Sequence, residues 1–212
     1  DRAVRIAIDA SKSLAHGSPS KLDVGRRVAA ALGYMALAGS ERAEVFVAGE
    51  GLSARSVLSR GRAGLPSFLR SLGAIEARGK TDLARAVDTL VERCGRPGML
   101  VLVSDFFDEG PVIAALRRAA AAGHDVALVQ VLAPDEIEPD FEGDLLLEDA
   151  ETGATVDLTA DAETIAAYVL RFTRVCAELR AFARRHGGTY VRVRTDEPTE
   201  GAVRRLVARS ID

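Results

Sequence analysis

The sequence alternates short apolar runs with longer segments in which apolar residues recur every three to four positions. The runs end on polar loops, as at residues 4–9 and 99–104, and the first periodic segment ends at Gly39. Short apolar runs are typical of buried parallel strands, and the periodic segments are typical of amphipathic helices. Strands that alternate with helices predict a doubly wound α/β fold, a mostly parallel sheet with helices on both faces.

The predicted elements cover most of the chain. Strands are expected at residues 4–9, 43–48, 99–104, 126–132 and 189–193, with a short edge strand at 53–58. Helices are expected between Ser20 and Gly39, at 65–72, from Thr81 to Gly95, at 111–122, at 165–182 and at 203–207. Ser20 has the residue type of a helix N-cap. Residues 140–158 interrupt the alternation and are predicted to form a β-hairpin insertion.

The length of the chain limits its organisation. With 212 residues it is long enough for one substantial α/β domain and short for two. We therefore expect a single domain over residues 1–212. Because the sequence begins at Asp1 and enters its first strand almost at once, we also expect it to be a fragment of a longer chain.

Charge and hydropathy exclude several classes of protein. The formal net charge is -3, whereas general nucleic-acid binders are usually basic. No apolar run reaches the roughly 18 residues of a membrane span, and no signal peptide is visible. The two cysteines are far apart and are expected to be reduced thiols. These observations favour a cytoplasmic location, with membrane contact only through a missing upstream region.

Oxygen-bearing side chains gather where the predicted strands end. Asp9 closes the first strand and is followed by Ser11 and Ser13; Asp105 closes the strand at 99–104. Thr81 lies at a junction between a loop and a helix. Because ligands of open α/β sheets bind beyond the carboxyl ends of the strands, we expect these five side chains to meet there.

This set of residues fits a hard divalent cation. Mg²⁺ prefers oxygen ligands at roughly 2.0–2.1 Å and keeps several waters, and Mn²⁺ or Ca²⁺ are possible alternatives. Zinc and copper fit this set poorly, because the three loops offer no His or Cys at the central positions. Two carboxylates balance the charge of one divalent ion, so the loaded site accepts one further anionic oxygen from outside.

The same residues have other interpretations. Asp and Ser are common turn formers, and a Thr at a helix start is usually only a cap. Ser13 and His16 have the residue types of a nucleophile and its base, but no nucleophile-elbow pattern surrounds them. The glycines at 49–51 and from Gly61 lack the strand-to-helix context of a phosphate loop, which argues against a nucleotide site.

The pattern Asp9-x-Ser11-x-Ser13, followed by Thr81 and Asp105, resembles the metal-ion-dependent adhesion site (MIDAS) of von Willebrand factor A-type (vWA) domains. Further stretches resemble the bacterial family of unknown function called DUF58, whose members are often encoded beside MoxR-type AAA+ ATPases. These stretches are residues 21–23, 29–32, 79–83 and 103–108. The resemblance covers most of the chain and is firmest between residues 4 and 132.

The resemblance implies a function and a set of metal ligands. Ser11, Ser13 and Thr81 would contact the ion directly or through water, as would Asp9 and Asp105. An Asp or Glu of a protein partner would take the open position. The family implies a non-enzymatic interaction module that works with a MoxR-type ATPase in protein maturation or assembly.

One residue departs from the family pattern, and two other functions stay open. Lys12 stands where a small or apolar residue is more usual, and its alternation with Ser11 and Ser13 predicts that it points outward. A metal-dependent phosphoesterase or hydrolase could use the same carboxylates, although no general base is apparent. In a third interpretation the site is degenerate and structural, with Lys12 replacing the charge of the ion.

Overall fold

The computed structural model describes residues 3–54, 58–108, 110–139, 144–148, 155–159 and 162–208. Its strands are β1 Ala3–Asp9, β2 Arg42–Ala48, β3 Leu52–Ala54, β4 Ser59–Arg60, β5 Met99–Ser104, β6 Asp125–Leu132, β7 Asp144–Glu148, β8 Thr155–Thr159 and β9 Thr189–Arg194. Its helices are α1 Lys21–Ala38, α2 Leu65–Gly73, α3 Leu83–Arg93, α4 Val112–Ala121, α5 Pro134–Ile137, α6 Ala162–His186 and α7 Thr199–Ala208. Two 3₁₀ turns lie at Lys12–Ala15 and Arg62–Gly64.

The main sheet is mostly parallel. Its strand order is β3-β2-β1-β5-β6-β9, and β4 also pairs with β2. The pairs from β2 through β1, β5 and β6 to β9 are parallel, whereas β3 and β4 run antiparallel to β2. This arrangement confirms the predicted doubly wound α/β fold.

Alternate strand residues face two separate apolar layers. On one face Ile6, Ile8 and Val101 pack with the helices α1, α2 and α7. On the other face Leu100 and Leu102 pack with α3, α4 and α6. The central strands are therefore covered on both sides, which is why they appear in the sequence as almost uninterrupted apolar runs rather than as alternating patterns.

The first helix begins where its capping residue predicts. The Ser20 side chain accepts a hydrogen bond from the Asp23 amide at 3.1 Å, and the helix begins at Lys21. A cap of this kind supplies a partner to one of the amide groups that the first helical turn leaves unpaired. It also fixes the point at which the chain leaves the loop after β1.

Some elements differ from the sequence predictions. In place of one edge strand at 53–58, two short strands, β3 and β4, pair with β2, and residues 55–57 lie outside the described residues. The strands β7 and β8 pair antiparallel within the predicted insertion at 140–158, whose remaining residues 140–143 and 149–154 are not described. The helix α5 is too short for apolar periodicity to predict. The assignment of residues 1–212 to one domain stays a prediction.

The order of the strands determines where a site can form. The chain passes from β1 through α1 to β2 on one side, and the next long parallel strand, β5, pairs on the other side of β1. The loops after β1 and β5 therefore diverge to opposite faces and leave a crevice at the carboxyl edge. Such a topological switch point is where open α/β sheets bind ligands.

Candidate metal centre

Asp9 lies at the end of β1 with both carboxylate oxygens engaged. Its Oδ1 accepts from the Ser11 amide at 2.9 Å, and its Oδ2 accepts from the Ser104 hydroxyl of β5 at 2.6 Å. Asp9 and Ser11 are each 1% exposed, and Ser104 is fully buried. The carboxylate is therefore held by groups from both strands that flank the switch point. Ser104 was not among the predicted site residues.

The two serines link Asp9 to Asp105. The hydroxyls of Ser11 and Ser13 lie 3.0 Å apart, and Ser13 Oγ donates to Asp105 Oδ2 at 2.9 Å. The backbone of Asp105 is fixed from the neighbouring strand, since Gln130 Nε2 donates to its carbonyl at 2.9 Å. Four of the five predicted ligands thus form one connected cluster.

The loop that carries Thr81 is hydrogen-bonded to the same cluster. The Arg78 amide donates to the Ala10 carbonyl at 2.6 Å, and the Lys12 amide donates to the Gly79 carbonyl at 3.0 Å. The Thr81 hydroxyl is buried and has no hydrogen-bond partner among the residues that the structure describes. A buried hydroxyl without a partner is costly, so this oxygen is the one predicted ligand with an unmet need for a contact.

Two further carboxylates accept hydrogen bonds from amides at the start of α3, and one of them comes from the loop after β5. Asp82 is the N-cap, and its Oδ1 accepts from the Arg85 amide at 2.8 Å. Asp108 Oδ2 accepts from the Leu83 amide at 2.6 Å, and its Oδ1 accepts from the Gly110 amide at 2.7 Å. Asp108 therefore ties the loop of Asp105 to the helix that follows Thr81.

An ammonium group that was not among the predicted site residues lies inside the cluster. Lys21 is 1% exposed; its Nζ donates to Asp105 Oδ2 at 2.7 Å and to Glu136 Oε1 at 2.5 Å. One feature of the sequence indicates that Lys21 has a specific role. A lysine in the first turn of a helix is unfavourable against the helix dipole, which suggests a specific acidic partner.

Glu136 connects the cluster to the turn after β6. Its Oε2 accepts from the Ala133 amide at 2.8 Å, which caps the short helix α5. Its backbone carbonyl accepts from the Tyr168 hydroxyl of α6 at 2.7 Å. Glu136 is thus fixed from two directions and presents its other carboxylate oxygen to Lys21.

Burial and charge shift the pKa values of the site. Burial, followed by the negative charge of Asp105, raises the pKa of Asp9 to about 7, although the hydrogen bonds from Ser104 and Ser11 oppose the shift. Burial alone would lower the pKa of Lys21, but Asp105 and Glu136 outweigh it and raise the pKa above its ordinary value. The site therefore carries repulsion between two carboxylates, which a cation would relieve.

Lys12 and His16 do not take part in the cluster. The Lys12 side chain is exposed, as its alternation with the serines predicts, so the ammonium in the cluster belongs to Lys21 instead. His16 Nε2 lies 2.7 Å from Asp135 Oδ2, and the hydroxyl of Ser13 donates to Asp105. The considered pairing of Ser13 with His16 as nucleophile and base is therefore not formed.

The donor set fits one kind of ion. It consists of three hydroxyls and two carboxylates, which suits a hard cation such as Mg²⁺. Within the described part of the chain no group of three or more His, Cys, Asp and Glu side chains could hold a metal. An ion at this site would thus depend on the serine and threonine oxygens, and above all on the unpartnered Thr81 hydroxyl.

Comparison with known protein families shows which family the chain belongs to. Residues 1–180 match the family described as "Protein of unknown function DUF58". The chain belongs to the DUF58 family. The resemblance drawn from the residue pattern is thereby confirmed for the family.

This DUF58 chain has uncharacterized relatives in mycobacteria. It is 32% identical over 216 residues to uncharacterized protein Rv1480 of Mycobacterium tuberculosis, a match that covers 96% of this chain and 65% of the relative. The chain therefore spans slightly less than two thirds of the length of that relative.

Solved structures place the DUF58 chain in the vWA fold. It matches BatB from Bacteroides thetaiotaomicron with a TM-score of 0.65 at 16% identity, over 100% of both chains. It matches a von Willebrand factor type A protein from Catenulispora acidiphila with a TM-score of 0.59 at 15% identity, over 100% of this chain and 42% of the other. Proximal thread matrix protein 1 from the mussel byssus, solved with a zinc-occupied MIDAS motif, matches with a TM-score of 0.52 at 13% identity, over 62% and 38% of the two chains.

The likeness of the DUF58 chain to solved vWA domains concerns the fold. Among the residues described, no helix is both long and apolar enough to span a bilayer.

Proposed function

We propose that this DUF58 domain is a protein-interaction module that binds one Mg²⁺ ion and, through the ion, an acidic side chain of a partner protein. Asp9, Ser11, Ser13, Thr81 and Asp105 would hold the ion. The ion would supply a positive charge at an edge of the sheet that otherwise presents carboxylates. In this proposal the domain performs no catalysis.

One observation carries the proposal: three loops that carry carboxylate and hydroxyl oxygens converge at the switch point, with the ammonium of Lys21 bound to Asp105 beside them. Asp9 and Asp105 are joined through the hydroxyls of Ser11 and Ser13, and the loop of Thr81 is bonded to the same backbone. The two carboxylates match the charge of one divalent ion, and Lys21 and Glu136 compensate each other. The zinc-occupied MIDAS motif of the mussel protein supports the idea that this fold can hold an ion.

The exposure of the ligands suggests how a partner would approach. Asp9, Ser11 and Asp105 are buried, as is the hydroxyl oxygen of Thr81, whereas Ser13 is half-buried. An ion held here would be open on the side of Ser13. A carboxylate from outside fits that opening, because it would complete the oxygen shell of a hard cation.

The identity of the partner is also a proposal. The resemblance to proteins encoded beside MoxR-type AAA+ ATPases favours such an ATPase, and action in the cytoplasm on protein maturation or assembly. The mycobacterial relative extends beyond the region that this chain matches.

Calorimetric titration and partner capture test the proposal. We expect metal-free protein to bind Mg²⁺ and Mn²⁺ with one site, and Asp9→Ala to abolish the binding. We expect a purified MoxR-type ATPase from the same organism to be retained in Mg²⁺ and released by EDTA. Wild-type protein that binds neither ion, or retention of the ATPase that neither EDTA nor Asp9→Ala reduces, would contradict the proposal.

A second candidate function rests on the buried ammonium. Lys21 donates to Asp105, so a cation already occupies one side of a proposed ligand. In this alternative the site is degenerate and structural, with Lys21 rather than Lys12 supplying the positive charge. Titration separates the two candidates, because a degenerate site would bind no divalent ion at millimolar concentration.

A further inference from the structure

Lys21 divides its contacts between the candidate metal site and the turn after β6. Its Nζ lies 2.7 Å from Asp105 and 2.5 Å from Glu136. The side chains of Lys21 and Asp105 are 1% and 4% exposed, and that of Glu136 is 18% exposed. Solvent therefore screens the contact with Asp105 very little, so the charge of Lys21 acts on the site at close to full strength.

One carboxylate oxygen of Asp105 has two hydrogen-bond donors. Asp105 Oδ2 accepts from Lys21 and from the Ser13 hydroxyl. A divalent ion held by Asp105 and Ser13 would have to share this oxygen with the ammonium or displace it. If the ammonium withdraws from Asp105, it retains Glu136 as an acceptor, so withdrawal does not leave a buried charge without a partner.

We propose that Lys21 is a built-in competitor that sets the affinity of the site for divalent ions, with Glu136 as the anchor that holds Lys21 when an ion occupies Asp105. The inference rests on the proposed ion-binding function and adds its regulation. Lys21 acts through Asp105 and is a positioning residue rather than a ligand.

The anchor makes the competition depend on the turn at α5. Glu136 is held by the Ala133 amide and by the Tyr168 hydroxyl of α6. A shift of this turn that carried Glu136 away would leave Lys21 with Asp105 alone and would weaken ion binding. Ion occupancy and the position of α5 are therefore coupled through one side chain, and the coupling is reciprocal.

Substitutions at the two ends of the bridge have opposite predicted effects. Lys21→Met removes the competing charge, and we expect the Kd for Mn²⁺ and Mg²⁺ to fall by about tenfold. Glu136→Gln removes the anchor, so Lys21 pairs with Asp105 alone, and we expect the Kd to rise by about threefold or more. Lys12→Met is the matched control; this exposed lysine lies in the loop of the site, and its removal should leave the Kd within about twofold of wild type.

Isothermal titration of MnCl₂ and MgCl₂ into the metal-free proteins measures these values, with circular dichroism as a check on folding. The double variant Lys21→Met with Glu136→Gln preserves charge balance if Lys21→Met alone unfolds. We expect the double variant to bind more tightly than Glu136→Gln alone. Binding that tightens in Lys21→Met and weakens in Glu136→Gln supports the inference.

The other outcomes separate the inference from the proposed function. If both single variants weaken binding, Lys21 and Glu136 only support the fold of the site; if both match wild type, they do not compete. Either result overturns the inference and leaves the ion-binding function standing. Binding by Lys21→Met but not by wild type supports the inference and contradicts the proposed function of the natural chain. No binding by wild type, Lys21→Met or the double variant overturns both.

Discussion

At the scale of single residues, the site contains one hydroxyl group without a hydrogen-bond partner and two carboxylates that repel each other. The Thr81 hydroxyl is buried without a partner among the described residues, and the pKa of Asp9 is raised by burial and by Asp105. Both features cost free energy when no divalent ion is bound. A divalent ion would satisfy both, because it accepts the hydroxyl as a ligand and neutralises the carboxylates.

Thr81→Val tests this cost directly. Valine keeps the branched shape and removes the hydroxyl, so in EDTA we expect the free energy of unfolding to stay the same or rise by up to about 1 kcal/mol. In the presence of Mg²⁺ we expect the Kd to increase by about tenfold or more. Urea unfolding and calorimetry give the two values.

Thr81→Ser is the control for this substitution, since it retains the hydroxyl and should retain ion binding. A Thr81→Val protein that binds Mg²⁺ as tightly as wild type would remove Thr81 from the ligand set. A large loss of stability in EDTA would show that the hydroxyl already has a partner.

At the scale of elements, the site depends on how loops are attached to helices. Asp108 joins the loop after β5 to the first turn of α3, and so fixes Thr81 relative to Asp105. Lys21 stands at the first turn of α1, next to the Ser20 cap. The helix starts therefore position two of the groups that decide the chemistry of the site.

Asp108→Ala should disturb this attachment. It leaves the amides of Leu83 and Gly110 without their carboxylate acceptor, so we expect a loss of about 1–3 kcal/mol in the free energy of unfolding, measured with urea. Ion binding should weaken as well, because the loop of Thr81 loses the hydrogen bond that positions it against the loop of Asp105.

Asp88→Ala serves as the comparison. Asp88 forms an exposed ion pair with Arg118, with a contact of 2.6 Å, and such surface pairs contribute about 0–1 kcal/mol. If Asp108→Ala costs no more than Asp88→Ala and leaves the Kd unchanged, the link between the two loops does not position the site.

At the scale of the whole molecule, the ligands come from parts of the chain that only the folded state brings together. Ser13 and Asp105 are hydrogen-bonded across 92 positions of sequence, and Ser104 and Asp9 across 95. The unfolded chain cannot gather these oxygens. An ion that binds only the native state stabilises it in proportion to the logarithm of ion concentration.

Thermal unfolding should therefore respond to Mg²⁺. At a concentration 100-fold above the Kd, we expect about 2.7 kcal/mol of stabilisation. For a chain of this size that corresponds to an increase in Tm of about 5–10 °C. Differential scanning calorimetry with and without EDTA measures the shift.

The Tm of Asp9→Ala should not respond to Mg²⁺, whereas that of Lys12→Met should respond as wild type does. An equal response in Asp9→Ala would mean that Mg²⁺ stabilises the protein at some other place.

Much of the fold was predictable because its signals are local. The apolar run at residues 99–104 corresponds to β5, and the Ser20 cap gives the start of α1. The division of the edge strand at 53–58 into β3 and β4 was not predictable, since strands this short have too few residues to show an alternation of apolar and polar side chains. The same applies to α5, which has only four residues.

The candidate site divides in the same way. Apolar periodicity and chain order were enough to predict that Asp9, Ser11, Ser13 and Asp105 follow the ends of strands, at one edge of the sheet. The ammonium among them could be identified as that of Lys21 only in the folded protein, where it bridges Asp105 and Glu136 across 84 and 115 positions of sequence. Charge pairing in a buried site depends on distances in space, and spacing along the chain does not encode those distances.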